Sequence, residues 1–148
     1  MVMVSGRRKM CELYSQAGKD VYSYRFDTVL YGKTALQGVE HFDNVAFSFQ
    51  NISGLLGPSP KYDADLRLAK AIAEAYVRFV YSLDPNPEKE ANLSSIGTLT
   101  LPYWPKYDVR NPVNMVLNAT GPFIEPDTFR NDGIEFLNTF EVARELLA

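Results

Sequence analysis

This chain is poor in the residues most chemistry is built from: one cysteine, Cys11, and one histidine, His41, among 148 residues. A single cysteine excludes an internal disulfide and any zinc site made from paired cysteines. One histidine with scattered carboxylates shows none of the ligand spacings of zinc or non-haem iron sites, so no metal and no cofactor is expected. Basic residues are also scarce, with 15 Lys and Arg against 18 Asp and Glu for a formal charge of −3, which argues against a nucleic-acid partner. The one basic cluster, Gly6-Arg7-Arg8-Lys9, reads as a solvated helix start. No apolar run approaches the roughly 18 residues that cross a bilayer, so no transmembrane segment is expected. The N-terminus lacks the apolar core of a secretory signal, and its charges follow its apolar residues.

A recognisable nucleophile is missing as well. The nearest approach to a Gly-x-Ser-x-Gly elbow is Gly57-Pro58-Ser59-Pro60-Lys61, which lacks the last glycine and brackets its serine with prolines. Ser59 therefore reads as a loop serine.

What is present is a 46% hydrophobic chain, enough for one globular domain. Met10, Leu13, Tyr14 and Ala17 fall three and four apart, predicting an amphipathic helix from Ser5 to Ala17 closed by Gly18. Val21 to Phe26 alternates, with Tyr22, Tyr24 and Phe26 on one face, and is the one segment that reads as a central strand. Asp27 to Glu40 reads as a long loop delivering His41, anchored by a short helix over Phe42 to Phe49 with Phe42, Val45, Ala46 and Phe49 inward. The longest helix is predicted over 63–83, with Asp63 or Asp65 at its start and Asp84-Pro85-Asn86-Pro87 as its stop. Its core stripe is Leu66, Ala69, Ile72, Ala73, Tyr76, Phe79, Val80 and Leu83. Short β pieces follow over 97–104, 113–117 and 123–124, which five prolines should keep peripheral, and a last helix is expected over 128–147. No linker divides the chain into two domains. Cys11 is expected to be buried on its helix. Three glycosylation acceptors, Asn51-Ile52-Ser53, Asn92-Leu93-Ser94 and Asn118-Ala119-Thr120, hint at a secretory origin, which the missing signal permits if an N-terminal portion is absent.

Taken in order, Gly6-Arg7-Arg8 with Cys11, Val21-Tyr22-Ser23-Tyr24-Arg25-Phe26-Asp27-Thr28, Gly38 to Phe49, Ser82-Leu83-Asp84-Pro85-Asn86-Pro87, Trp104-Pro105-Lys106-Tyr107, Glu125 to Arg130 and Gly133 to Asn138 resemble the C-terminal part of the type-B carboxylesterase/lipase family, the cholinesterase-like α/β-hydrolases. Among these the chain looks most like secreted fungal lipases and esterases. The resemblance implies the fold class: α/β, residues 1–148 being the C-terminal segment of an α/β-hydrolase fold, with an edge strand of the central sheet, helices and small peripheral β pieces. It implies that His41 is the base of a Ser-Glu/Asp-His triad whose serine and acid lie upstream. Family members carry a carboxylate three residues after the histidine, where this chain has Asn44; Asn44 and Asp43 are candidate supports of the site. Glu40 and Asp43 themselves read as solvated or capping residues, and Asp27 as a structural one. The implied partners are a carboxylic ester or lipid substrate and, for a chain inactive alone, the missing N-terminal portion as a separate chain; the full-length family protein is secreted. The alternatives are a non-catalytic cholinesterase-like interaction module, a truncated gene product, or a structural histidine in an unrelated α+β domain.

Overall fold

The computed structural model describes residues 2–34, 36–51, 53, 59–87 and 99–139. They form two compact units, each assembled from separated stretches of chain: residues 1–23, 105–114 and 125–148 in one, and 24–104 and 115–124 in the other.

The first unit contains α1 (Val2–Gln16), which packs against a short helix, α4 (Asn131–Leu137). Gly18 ends α1 as the sequence predicts. With φ at 70° it lets its own N–H reach the Ser15 carbonyl and the Lys19 N–H reach that of Tyr14. The inward face of α1 differs from the expectation. Met10, Leu13 and Tyr14 are exposed, whereas Ser5, Arg8 and Cys11 are buried, Arg8 to 5% exposure. The basic cluster is therefore not a solvated helix start.

The reason is a carboxylate. Asp127 is buried and accepts hydrogen bonds from Arg7 Nη2 at 2.7 Å, Asn114 Nδ2 at 2.8 Å and the Tyr107 hydroxyl at 3.0 Å. Arg8 adds a forked pair, Nη2 at 3.1 Å and Nε at 3.3 Å. Arg7 also donates to Asn114 Oδ1 at 2.8 Å and to Ser23, and Ser23 donates to Asn114 at 2.6 Å. Burial on its own would raise the Asp127 pKa, but the hydrogen bonds and charges of Arg7, Asn114 and Arg8 outweigh it and hold the carboxyl at about 2. Burial and the Asp127 charge push the Tyr107 hydroxyl up, so it stays a donor. Burial likewise pushes the Cys11 thiol up, which keeps it protonated and unreactive.

The second unit contains the greater part of a sheet together with two helices. Strand β1 (Tyr24–Phe26) pairs in parallel with β2 (Val113–Leu117), with Tyr24 opposite Met115, Arg25 opposite Val116 and Phe26 opposite Leu117. The order is β1-β2-β3, where β3 is Phe123–Pro126. The middle strand is thus β2, with Met115, Val116 and Leu117 fully buried, and not the peripheral piece its flanking prolines suggested. Pro112 lies just before β2 and Pro122 just before β3, so neither interrupts the β2 ladder. Segment 99–104 forms no strand, and 97–98 lie outside the described residues.

Between β1 and β2 the chain forms α2 (Asp43–Ser48) and α3 (Asp63–Ser82), which pack together. Tyr24 meets Tyr76 and Trp104 at ring distances of 6.2 and 6.1 Å, and Phe26 meets Phe47 edge-on at 4.9 Å. The expected inward face of α2 is corrected: Phe42 and Phe49 are exposed, and Asp43 and Phe47, four apart, are buried. In α3 the inward face is Leu68, Ala69, Ile72 and Ala75, and the expected Leu66, Phe79, Val80 and Leu83 are exposed. Asp65 starts α3 by accepting the Tyr62 N–H at 3.2 Å, and Leu83, left-handed at φ 60°, ends it. Asn86 then exchanges hydrogen bonds with both backbone groups of Trp104, at 2.7 and 2.9 Å. The last helix starts at Asn131, three residues later than expected, and residues 140–148 lie outside the described ones.

Asp127 leads to a definite pH dependence. Its folded pKa lies below the unfolded value of about 3.9, so its stabilisation is complete above about pH 5 and is lost as the pH falls through 2, about 2–3 kcal/mol in all. Thermal melts between pH 5 and 2 should show that loss. Asp127→Asn, which leaves two guanidinium groups without their counter-ion, should cost about 3–5 kcal/mol at pH 7 and flatten the acid dependence.

Candidate functional site

The loop that carries His41 is fastened at its root. Immediately after β1, the Asp27 N–H donates to the Leu117 carbonyl at 3.0 Å, and the Asn118 amide donates to the Asp27 carbonyl at 3.0 Å. Thr28 Oγ1 donates to the Leu117 carbonyl at 3.2 Å and accepts the Ala119 N–H at 3.0 Å. Asp27 has the structural role that was expected of it, pairing also with Arg25 at 2.8 Å. Leu30 is buried beyond this weld.

At its far end the loop closes in a four-residue turn, Glu40-His41-Phe42-Asp43, in which the Asp43 N–H donates to the Glu40 carbonyl at 3.3 Å. Phe42 occupies the third position in a left-handed conformation, φ 83° and ψ −14°, where glycine or asparagine is usual. Its side chain is 63% exposed, so no packing of the ring requires that conformation. His41, at the second position, is exposed, and its ring lies edge-on to Phe42 at 6.3 Å.

Asp43 is neither solvated nor turned to His41. It is buried, accepts the Glu40 N–H at 2.9 Å and receives the Lys33 ammonium on both oxygens at 2.7 Å. Glu40 also bonds Lys33, at 2.6 Å. Asn44 donates to the Tyr24 hydroxyl at 3.1 Å, which commits its amide to β1. Neither proposed support therefore hydrogen-bonds the imidazole, and no hydroxyl, thiol or carboxylate does so among the described residues. The hydroxyls of Ser23, Thr28 and Ser48 are donated to Asn114, to the Leu117 carbonyl and to the Asn44 carbonyl. Ser59 lies in coil before α3, and residues 54–58 lie outside the described ones. Among the described residues no three His, Cys, Asp or Glu side chains gather as metal ligands, and no helix is long and apolar enough to cross a membrane.

A hollow of about 170 Å³ lies under the second half of α3, lined by Glu74, Arg78, Pro85, Leu101 and Trp104 among others. It is smaller than the roughly 300 Å³ of the smallest usual ligand sites, and His41 does not line it.

The three glycosylation acceptors separate in the structure. Asn51 is half-buried and accepts the Ser53 hydroxyl at 3.1 Å, Asn92 lies outside the described residues, and Asn118 is engaged in the weld at the root of the His41 loop. Sequence reasoning did not find Lys33 or Asn118 as determinants of the loop, because both act on residues distant in the chain or across the sheet.

No protein-family model and no curated protein matches this chain. Solved structures do. The carboxylesterase EST55 of Geobacillus stearothermophilus is similar at 24% identity and a TM-score of 0.59, over 84% of this chain and 23% of that one. An esterase from the anaerobe Clostridium hathewayi, described as able to hydrolyse aliphatic aromatic polyesters, is similar at 23% identity and a TM-score of 0.59, over 81% of this chain and 21% of its own. The fold is accordingly part of an α/β-hydrolase fold, as the resemblance in sequence implied, and the chain spans less than a quarter of the length of these two structures.

Two outcomes follow for the loop. Phe42→Gly, which suits a left-handed residue, should leave the melting temperature unchanged or stabilise the chain by up to about 1 kcal/mol, whereas the β-branched Phe42→Val should destabilise it by about 1–2 kcal/mol. Asn118→Gln should lower the melting temperature by an amount equivalent to about 1 kcal/mol, because the longer amide cannot hold Asp27 from the same position.

Proposed function

We propose that this chain is the C-terminal part of a carboxylic ester hydrolase of the type-B carboxylesterase/lipase kind, supplying His41 as the general base of a Ser-Glu/Asp-His triad. The observation that carries the reading is the placement of the single imidazole. It is exposed on a strained turn, at the end of a loop that leaves the carboxyl end of a parallel strand, and functional sites of open α/β sheets form outside those ends.

In this role His41 takes the proton of an upstream serine as it attacks the ester carbonyl, returns it to the leaving alcohol, and then activates water to release the acid. An imidazole suits both directions of transfer because its ordinary pKa, about 6.5, lies near neutral pH. The serine, its oxyanion hole and the acid belong to the remainder of the fold. The half-built state of the sheet agrees: among the described residues β1 has a strand on one edge only, and α3 exposes Val77, Val80 and Tyr81, the last to 87%. A larger hydrolase would cover these surfaces. The remaining portion, whether on the same polypeptide or on a separate chain, is the first partner, and a carboxylic ester or lipid is the substrate. Secretion and glycan attachment, as in secreted fungal lipases and esterases, belong to the same reading.

The test begins with the transcript upstream of Met1. It should encode, in frame, a Gly-x-Ser-x-Gly elbow and an acidic residue. The longer protein should turn over p-nitrophenyl butyrate, the 148-residue chain should not, and His41→Ala in the longer protein should lower kcat by about 10⁶-fold with a small change in KM. An upstream frame with no serine elbow, or a His41→Ala enzyme of undiminished kcat, would sink the proposal in favour of a non-catalytic interaction module.

A further inference from the structure

The two carboxylates closest to His41 in the chain are Glu40, directly before it, and Asp43, two residues after it. Left to themselves they would do two kinds of harm to the turn. Their like charges would push its ends apart, and either one could pair with a protonated imidazole one or two residues away. In the structure neither happens, because both are drawn to one cation. The Lys33 ammonium, on a side chain only 13% exposed, lies 2.6 Å from Glu40 Oε2 and 2.7 Å from each Asp43 oxygen. The Asp43 side chain is 7% exposed and that of Glu40 58%, so the Lys33–Asp43 pair is the buried arm of the cluster and the Lys33–Glu40 pair its solvent-facing one. Asp43 spends its remaining accepting capacity on the Glu40 N–H, which ties the two ends of the turn to each other as well as to Lys33. The strained Phe42 lies inside the ring so formed.

We infer that Lys33 is a positioning residue for His41: by collecting the carboxylates of Glu40 and Asp43 it holds closed the strained turn that exposes the imidazole, and it keeps both carboxylates from pairing with the ring. The hydrogen bonds that Lys33 donates to Asp43 and Glu40 in turn raise its pKa, so the cation stays charged throughout the neutral range. One consequence rests on the triad reading of the proposed function: the acid that orients His41 comes from outside this loop, since the local candidates are committed. The clamp itself does not depend on that reading.

Having one histidine makes the experiment direct, because the ring gives one Cε1–H cross-peak that needs no assignment. In the unaltered chain that peak should be single and sharp, with slow hydrogen exchange at the Glu40 amide. Lys33→Met should broaden or split the peak and speed Glu40 exchange by about tenfold or more, while the Met115 and Val116 amides of β2 keep their protection. Lys33→Arg, which keeps a cation able to reach both carboxylates, should restore both signals. The inference is overturned if Lys33→Met leaves the His41 peak and Glu40 exchange unchanged, or if Lys33→Arg restores neither. Should Lys33→Met strip protection from β2 as well, Asp43→Asn decides: it must perturb the His41 peak and the Glu40 amide with β2 intact, and an unchanged peak refutes the clamp. None of these signals requires esterase activity, so failure of the triad proposal and failure of the clamp are read separately.

Discussion

A single buried carboxylate organises the first unit of this protein. Asp127 gathers Arg7, Arg8, Tyr107 and Asn114 around two oxygens, joining residues as far apart in the chain as 7 and 127. Burying a charge is costly unless it is paired and hydrogen-bonded on every side, and the network meets that condition. The requirement explains why α1 faces inward with Ser5, Arg8 and Cys11 and outward with Met10, Leu13 and Tyr14. The helix turns its charged side to the carboxylate because leaving Asp127 uncompensated would cost more than exposing three apolar side chains.

The second unit repeats the device at smaller scale. Asp43 is also buried and also meets a cation, and it accepts a backbone N–H where Asp127 accepts side-chain donors. Here the paired charges fix a loop instead of a helix. The loop is fastened at its root by Asp27, Thr28 and Asn118 against the end of β2, and at its tip by Lys33. The histidine rides on a short turn whose two ends are both held, while the imidazole stays in solvent. In the role proposed for His41, such an arrangement suits a base: its position is set by the backbone, and no hydrogen bond within the described residues occupies its ring.

Many of the sequence motifs that resemble the carboxylesterases prove to be contact partners of one another. Arg7 and Arg8 meet Asp127, Tyr107 meets Asp127, and Asn86 of the Asp-Pro-Asn-Pro stop grips the backbone of Trp104. An ordered set of short, individually common motifs was therefore informative because each is one half of a long-range interaction. The candidate site was less legible. His41 stood out by its uniqueness and its loop; Asn44 and Asp43 were named as supports from the position of a family carboxylate three residues after the histidine, and the structure directs them to Tyr24 and Lys33.

What the chain carried in its own order of residues was local: Gly18 ending one helix, Asp84-Pro85 stopping another, the helical period of 63–82, and a lone histidine after a strand and a loop. These depend on backbone conformation and near neighbours, which a linear reading sees. What only the tertiary structure decided was which side of each element is inside. Periodicity ranks faces by hydrophobicity, but α1 buries Arg8, α2 buries Asp43 beside Phe47, and the segment 113–117 that follows Pro112 is the middle strand. The reversals share a physical origin: a buried charge or a buried strand edge must be satisfied by a partner, ten residues away for Asp43 and about a hundred or more for Arg8 and β2, and that partner's position exists only once the chain has folded.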